Sequence, residues 1–223
     1  MTLNLKIEKL YSELNKWPGY GPIHTLLDFK NTDLYLAGGS IRNTLIGQNT
    51  IKDFDFFIKS SDKEKVLNHL SNYGNIVYGP FGSPRWFPKE ETSVYCDLIW
   101  INEFYNGLWK CRDIIDVLNQ FDFTANAIAI DLNTAKIFNP ENGLRDIEKR
   151  VLRAVRFDYP NEPISNHSSL TRLEVLWFRL VHYSNKYDMK LDGVTKDWIL
   201  CNSNFSAKKK DFSELFFEPD VRI

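Results

Sequence analysis

The sequence predicts an α/β (α+β) head up to about residue 155, followed by a short helical extension. Three observations carry this. Short apolar strands alternate with short helical stretches through the first two thirds of the chain. From Ser168 onward the spacing is helical only. The 223 residues, with 43% hydrophobic and 14% aromatic side chains, are enough for one packed domain with an appendage. The expected division is residues 1–155 and 156–223.

In chain order, Leu5, Ile7, Leu10, Tyr11 and Leu14 recur at helical intervals, and WPGYGP (17–22) breaks that helix. LYLA (34–37) is a strand. SIRNTLI (40–46) makes one or two helical turns that Gly47 stops, and IKDFDFFI (51–58) is a strand rich in Ile and Phe. Ser61 and Glu64 have capping-box spacing before VLNHLSNY, a helix ended by Gly74. NIVYG and SVYCDLIWI (93–101) are strands joined by an expected loop, GPFGSPRWFPKEET. DIIDVLNQF (113–121) and LRDIEKRVL (144–152) are expected helices. NAIAI and AKIFN form a strand pair about the turn 131–134. Thr171 and Glu174 again have capping-box spacing, ahead of an apolar stripe of Leu173, Leu176, Trp177, Leu180 and Tyr183.

Composition narrows the function classes. A net charge of −1 gives no general affinity for nucleic acid, so any such contact must be local. The cysteines Cys96, Cys111 and Cys201 are odd in number and form no CxxC pair, which argues against a disulfide scaffold or a zinc site and for a reducing compartment. No signal peptide and no membrane-length apolar run is read, so a cytoplasmic protein without membrane contact is expected. His24, His69, His167 and His182 share no metal-ligand spacing, and Ser40 has no partners for a triad.

The chemistry concentrates in LYLAGGSIRNTLIGQNTIKDFDFFI (34–58). Side chains alternate along a strand, so Asp53 and Asp55 share a face while Phe54 and Phe56 take the other. Two readings are open for such a pair. It lies at a strand edge facing water, or it holds a hard divalent cation between carboxylates that would otherwise repel. Two-metal phosphoryl transfer calls for a third acid, and Asp97 in the apolar strand SVYCDLIWI is the best candidate. Ahead of the pair, Gly38 and Gly39 let backbone approach a phosphate, Ser40 offers a hydroxyl and Arg42 a cation. The turn is neither a Walker loop nor a dinucleotide fingerprint. A phosphate cradle beside a carboxylate pair is a layout for a nucleoside triphosphate.

These residues resemble the signature of class II nucleotidyltransferases of the polymerase-beta superfamily, the CCA-adding tRNA nucleotidyltransferases and bacterial poly(A) polymerases. Their pattern runs approximately L-V-G-G-x-V-R-D-x-L-L-G, then D-x-D. Gly38, Gly39, Arg42, Leu45, Gly47, Asp53 and Asp55 fall in place, with Asn43 where the family has Asp. QFDFTANAIAID (120–131) and NPENGLRDIEKRVLRAV (139–155) resemble the family's later motifs, in the right order.

The resemblance implies a polymerase-beta-like head with a small mixed sheet flanked by helices. It implies magnesium in a two-metal site on Asp53, Asp55 and Asp97, and nucleotide contacts from Gly38, Gly39, Ser40, Arg42, Asp122, Asn126 and Arg179. The expected partners are an NTP, ATP or CTP first, and an RNA or tRNA 3′ end. A protein or small-molecule acceptor, and nucleotide binding without turnover, are the alternatives.

Three departures stand out. Gln120 and Phe121 replace paired arginines, for which Lys110 or Arg112 are the nearby substitutes. The family's base-reading E-D-x-x-R helix motif has no counterpart in TRLEVLWFRLVHY, where Arg172, Leu173 and Leu176 occupy its positions and Arg179 follows. A homodimer or a partner chain is the expected replacement for the helical body that the family carries after its head. Lys208, Lys209 and Lys210 and the Arg85–Phe87 segment are read as surface or core anchors before any nucleic-acid role.

Overall fold

The computed structural model describes residues 2–48, 51–79, 82–89, 93–165 and 168–222. His167 and residues 80, 81 and 90–92 of the expected long loop lie outside these. The elements in order are α1 (Leu3–Lys16), α2 (Tyr20–His24), β1 (Asp33–Ala37), α3 (Gly39–Leu45), β2 (Asp53–Lys59), α4 (Lys63–Ser71), β3 (Gly74–Tyr78), β4 (Pro84–Pro88), β5 (Tyr95–Trp100) and α5 (Ile114–Leu118). They continue with β6 (Ala129–Asp131), β7 (Ile137–Phe138), α6 (Gly143–Glu148), β8 (Val151–Leu152), α7 (Arg172–Tyr187), β9 (Lys190–Leu191), α8 (Gly193–Cys201) and α9 (Lys209–Leu215).

Seven strands form one mixed sheet in the order β3-β4-β5-β2-β1-β6-β7, with β2 parallel to β5 and its other neighbour β1 antiparallel. The alternation read in β2 decides how the sheet is covered. Phe54, Phe56 and Ile58 join Leu34, Leu36, Cys96 and Leu98 on one face, packed against Leu10, Leu14, Ile41, Val66 and Leu70 of the flanking helices. Phe57 points the opposite way and packs with Ala37, Ala129 and Ile114, Val117 and Leu118 of α5. α5 is short, and the β2 residues that precede Phe57 on this second face are Asp53 and Asp55.

The expected elements are found with instructive shifts. Asp62, not Ser61, caps α4, its carboxylate accepting from the Lys65 amide at 2.9 Å. The capping box at Thr171 and Glu174 forms as read. The WPGYGP segment ends α1, yet Tyr20–His24 turns helical again. The expected loop 79–92 contains strand β4, because Arg85, Trp86 and Phe87 alternate in burial and Trp86 anchors through Nε1 on the Leu70 carbonyl at 2.8 Å. The helix expected over 144–152 stops at Glu148, and Val151–Leu152 pairs in parallel with Lys190–Leu191. That pairing crosses the 155/156 division expected from sequence and interrupts the all-helical reading of the tail. α7 enters the main core through Leu176, Trp177 and Phe178, and Phe178 stacks on Phe212 at 4.7 Å. Among the described residues no helix is long and apolar enough to cross a membrane.

Candidate active site

Strand register brings the three aspartates together. Asp53 and Asp55 lie on one face of β2, and the parallel β5 sets Asp97 beside Asp55 and Tyr95 beside Asp53. Burial pushes the Asp55 carboxyl up to about 7, and the neighbouring charges of Asp53 and Asp97 add to it; the Gly39 amide and Arg179 act against it. Asp97 is also raised, first by burial, with Arg85 opposing. The Arg85 guanidinium donates through Nε to Asp97 Oδ1 at 3.0 Å and lies over the Tyr95 ring at 5.2 Å. Sequence reasoning did not pair Arg85 with an acid. The antiparallel β4, which sets Arg85 opposite Asp97, is the reason.

The glycine turn has a steric cause. Gly38 has φ of 78°, a region that side chains disfavour, and a Cβ there would stand 2.7 Å from Asp55 Oδ2. Gly39 opens α3, and its amide is a hydrogen-bond donor to Asp55. Ser40 behaves otherwise than expected: it is buried, its Oγ has no partner among the described residues, and it is not part of the cavity wall described below.

Arg42 is buried, and it ties three distant segments together. It donates to Asn126 Oδ1, to Asn43 Oδ1 at 2.9 Å and to the Tyr187 hydroxyl at 2.9 Å. Its guanidinium lies over Tyr183 and Tyr187 at 4.7 and 4.9 Å. Asn126 in turn donates to Asp122 Oδ1 at 2.9 Å, while Asp122 Oδ2 accepts from Arg179 Nε at 2.5 Å. The expected nucleotide contacts Arg42, Asp122, Asn126 and Arg179 are therefore one hydrogen-bonded chain linking α3, the DFTANA segment and α7.

A cavity of about 770 Å³ joins these groups. Gly38, Gly39, Asp53 and Asp55 line one part of it, and Arg172, Val175, Leu176 and Arg179 of α7 line another. Asp97 stands outside that lining, held by Arg85. Gln120 and Phe121, the departures noted in the sequence, line the cavity while also packing inward. Gln120 is fully buried and donates to the Trp109 carbonyl at 2.9 Å. Phe121 packs against Phe57 with ring centroids 5.8 Å apart. Arg112 is spent on a surface pair with Asp116 at 3.2 Å, and neither it nor Lys110 lines the cavity. The cations that do line it are Arg42, Lys63, Arg172 and Arg179, with Lys63 paired to Glu103 at 2.6 Å.

The donor set suits a hard divalent cation: carboxylate oxygens grouped at a buried site, where desolvation and the charges of Asp53 and Asp97 push Asp55 up to about 7. Asp53 and Asp55 fit as they stand. Among the described residues no group of three or more His, Cys, Asp or Glu side chains forms a metal cage, which agrees with Asp97 being engaged by Arg85.

A mixed sheet bearing an aspartate pair behind a glycine turn, open to a cavity of about 770 Å³, has the architecture of a class II nucleotidyltransferase head domain. Solved structures share the fold. A tRNA nucleotidyltransferase in complex with a primer tRNA and an incoming ATP analog superimposes with TM-score 0.63 at 20% identity, over 85% of this chain and 51% of that one. A CCA-adding enzyme in complex with CTP gives 0.63 at 18% identity, over 91% and 47%. Among curated proteins, the multifunctional CCA protein of Xanthomonas oryzae pv. oryzae is 30% identical over 135 residues, 59% of this chain and 32% of its own length. The chain thus spans about a third of the length of the curated relatives it matches. It belongs to the Gabija anti-defense 2 family, which it matches over residues 5–150.

Proposed function

We propose that this protein is a metal-dependent nucleotidyltransferase that transfers NMP from an NTP to a hydroxyl, releasing pyrophosphate. The observation that carries the proposal is the parallel β2–β5 register, which groups Asp53, Asp55 and Asp97 on the sheet face next to a nucleotide-sized cavity. Asp53 and Asp55 would hold Mg2+, in the two-metal arrangement with Asp97 as the third carboxylate once Arg85 is drawn off it. When bound, the ions supply charge neutralisation at the triphosphate and activation of the attacking hydroxyl.

The chain's own residues do the rest. The bare Gly38–Gly39 backbone admits phosphate oxygens close to the carboxylates. The Asp122–Asn126–Arg42 chain fixes the wall on which the sugar would sit, and Arg179 balances Asp122 and offsets the charge of Asp55. Burial of this network keeps water from competing for the donors. The new bond joins the acceptor oxygen to the α-phosphorus, and the bond to the bridging oxygen of the leaving pyrophosphate breaks.

The acceptor we favour is an RNA or tRNA 3′ end, supported by relatives and structural neighbours described as CCA-adding and tRNA-processing. A second reading keeps the chemistry and takes a protein or small molecule of host defence as acceptor, and the family's anti-defense description supports it. We further propose that residues 1–155 act as the catalytic head and 156–223 as a neck closing its cavity, in a cytoplasmic setting. In the test, α-labelled NTPs are incubated with purified protein and Mg2+, and label is followed into RNA and into protein. Label should enter one of these pools and vanish with Asp53→Ala. Transfer that survives Asp53→Ala defeats the mechanism, and the labelled pool separates the two acceptors.

A further inference from the structure

The charged groups lining the cavity are almost all committed. Asp122 is engaged by Arg179 and Asn126, Glu103 by Lys63, and Asp53 and Asp55 belong to the catalytic face. Arg172 is the exception: it lines the cavity, yet no hydrogen bond or ion pair engages its guanidinium among the described residues. Glu174, two residues along α7, accepts instead from the Thr171 amide at 2.7 Å in the capping box. Arg172 lies against Gly107, where a Cβ would come within 3.1 Å of its Nε.

Its position along α7 has a meaning. Arg179, which feels the charge of Asp55, lies two helical turns away, about 10 Å at ~1.5 Å per residue. That separation is of the order of a nucleotide's own length, so a nucleotide lying along α7 would bring its base toward Arg172. Between the two arginines the cavity wall is Val175 and Leu176, an apolar surface for a base to lie on.

We propose that Arg172 reads the base of the incoming nucleotide and that the preferred base is guanine. This rests on the nucleotidyl-transfer reading above. A guanidinium offers donors only. The guanine edge bearing O6 and N7 presents two acceptors that match its fork, whereas adenine and cytosine turn an amino donor toward it and uracil offers a single carbonyl. The α7 side chains on the cavity, Arg172, Val175, Leu176, Arg179 and Tyr183, include no carboxylate to accept from the amino group of adenine or cytosine.

The experiment is calorimetric binding of GTP, ATP, CTP and UTP to the intact protein with Ca2+ in place of Mg2+, which needs no acceptor. GTP should bind about tenfold tighter than the other three. Arg172→Gln and Arg172→Lys should both remove that preference and leave ATP and CTP affinities unchanged. Four equal affinities in the unaltered protein, or a preference for ATP, CTP or UTP, overturns the proposal. So does a uniform loss for all four with Arg172→Gln that Arg172→Lys restores, which would make Arg172 a phosphate contact. The unaltered protein decides by itself if a variant fails to fold. An Arg172-dependent GTP preference without any label transfer would defeat the catalytic reading and leave this one standing.

Discussion

The carboxylate end of the cavity comes from one continuous run of chain, β1 through β2, completed by a neighbouring strand. The α7 end gathers Asn106, Arg172, Leu176 and Phe216, from segments spread along more than a hundred residues of chain. In the first, side-chain direction follows from a two-residue alternation and from a turn that only glycine fits. In the second, nothing local says which side of α7 faces the cavity, because the apolar stripe that docks the helix and the polar flank beside it are chosen by packing. In the proposed reaction, activation of the nucleotide would thus be encoded locally, while its selection would rest on long-range assembly that single substitutions can redirect.

The largest expected effect breaks the carboxylate end. Asp55→Asn should lower nucleotide transfer by on the order of 10²-fold or more, since it removes a carboxylate that would hold the divalent cation neutralising the triphosphate. The same change should raise the metal-free Tm at pH 8 by roughly 3 °C or more. The sign follows from burial. Asp55 has a folded-state pKa of about 7, above the usual aspartate value, so its contribution to stability is complete below that usual value and is lost as pH rises through 7. Unaltered protein without metal should therefore weaken between pH 5 and about 8, and Asp55→Asn should flatten that profile. A metal-free Tm that falls with Asp55→Asn would mean that the carboxylate is held by partners stronger than its repulsions.

An intermediate effect tests the turn. Gly38→Ala puts a Cβ 2.7 Å from Asp55 Oδ2 at a φ of 78°, and it should cost about 1–3 kcal/mol in urea unfolding. Stability unchanged by this substitution would show that the turn relaxes freely and that the carboxylates are less rigidly placed than β2 suggests.

The smallest effect concerns the half-exposed Arg85–Asp97 pair. Arg85→Ala should tighten Mn2+ or Mg2+ binding by a few-fold at most, in keeping with the ~0–1 kcal/mol of such pairs. Weaker metal binding in this variant would make Arg85 a support for the third carboxylate rather than its competitor.

Much of this was legible before any coordinates. Phe54 and Phe56 against Asp53 and Asp55, the Thr171 capping box and the β6–β7 hairpin all follow from local spacing. Strand β4 was not legible, because Pro84 and Pro88 bracket only five residues and its pairing partners lie on either side in chain order. β8 and β9 were hidden for a similar reason: each is two residues long and exists only through the other. Arg42 looked like a phosphate ligand from the glycine motif alone, and its cage of Tyr183, Tyr187 and Asn126 comes from residues 84 to 145 positions away.

The sequence by itself determined the alternation of β2, the glycine turn and the order of motifs, because each is a short-range consequence of backbone geometry and side-chain chemistry. The tertiary structure alone decided that Asp97 meets Asp55 while Arg85 holds it, that Gln120 and Phe121 pack inward at the cavity wall, and that Arg172 faces the cavity with no hydrogen-bond or ion-pair partner among the described residues. Those outcomes depend on which strands pair and which helix face docks, and long-range burial settles both.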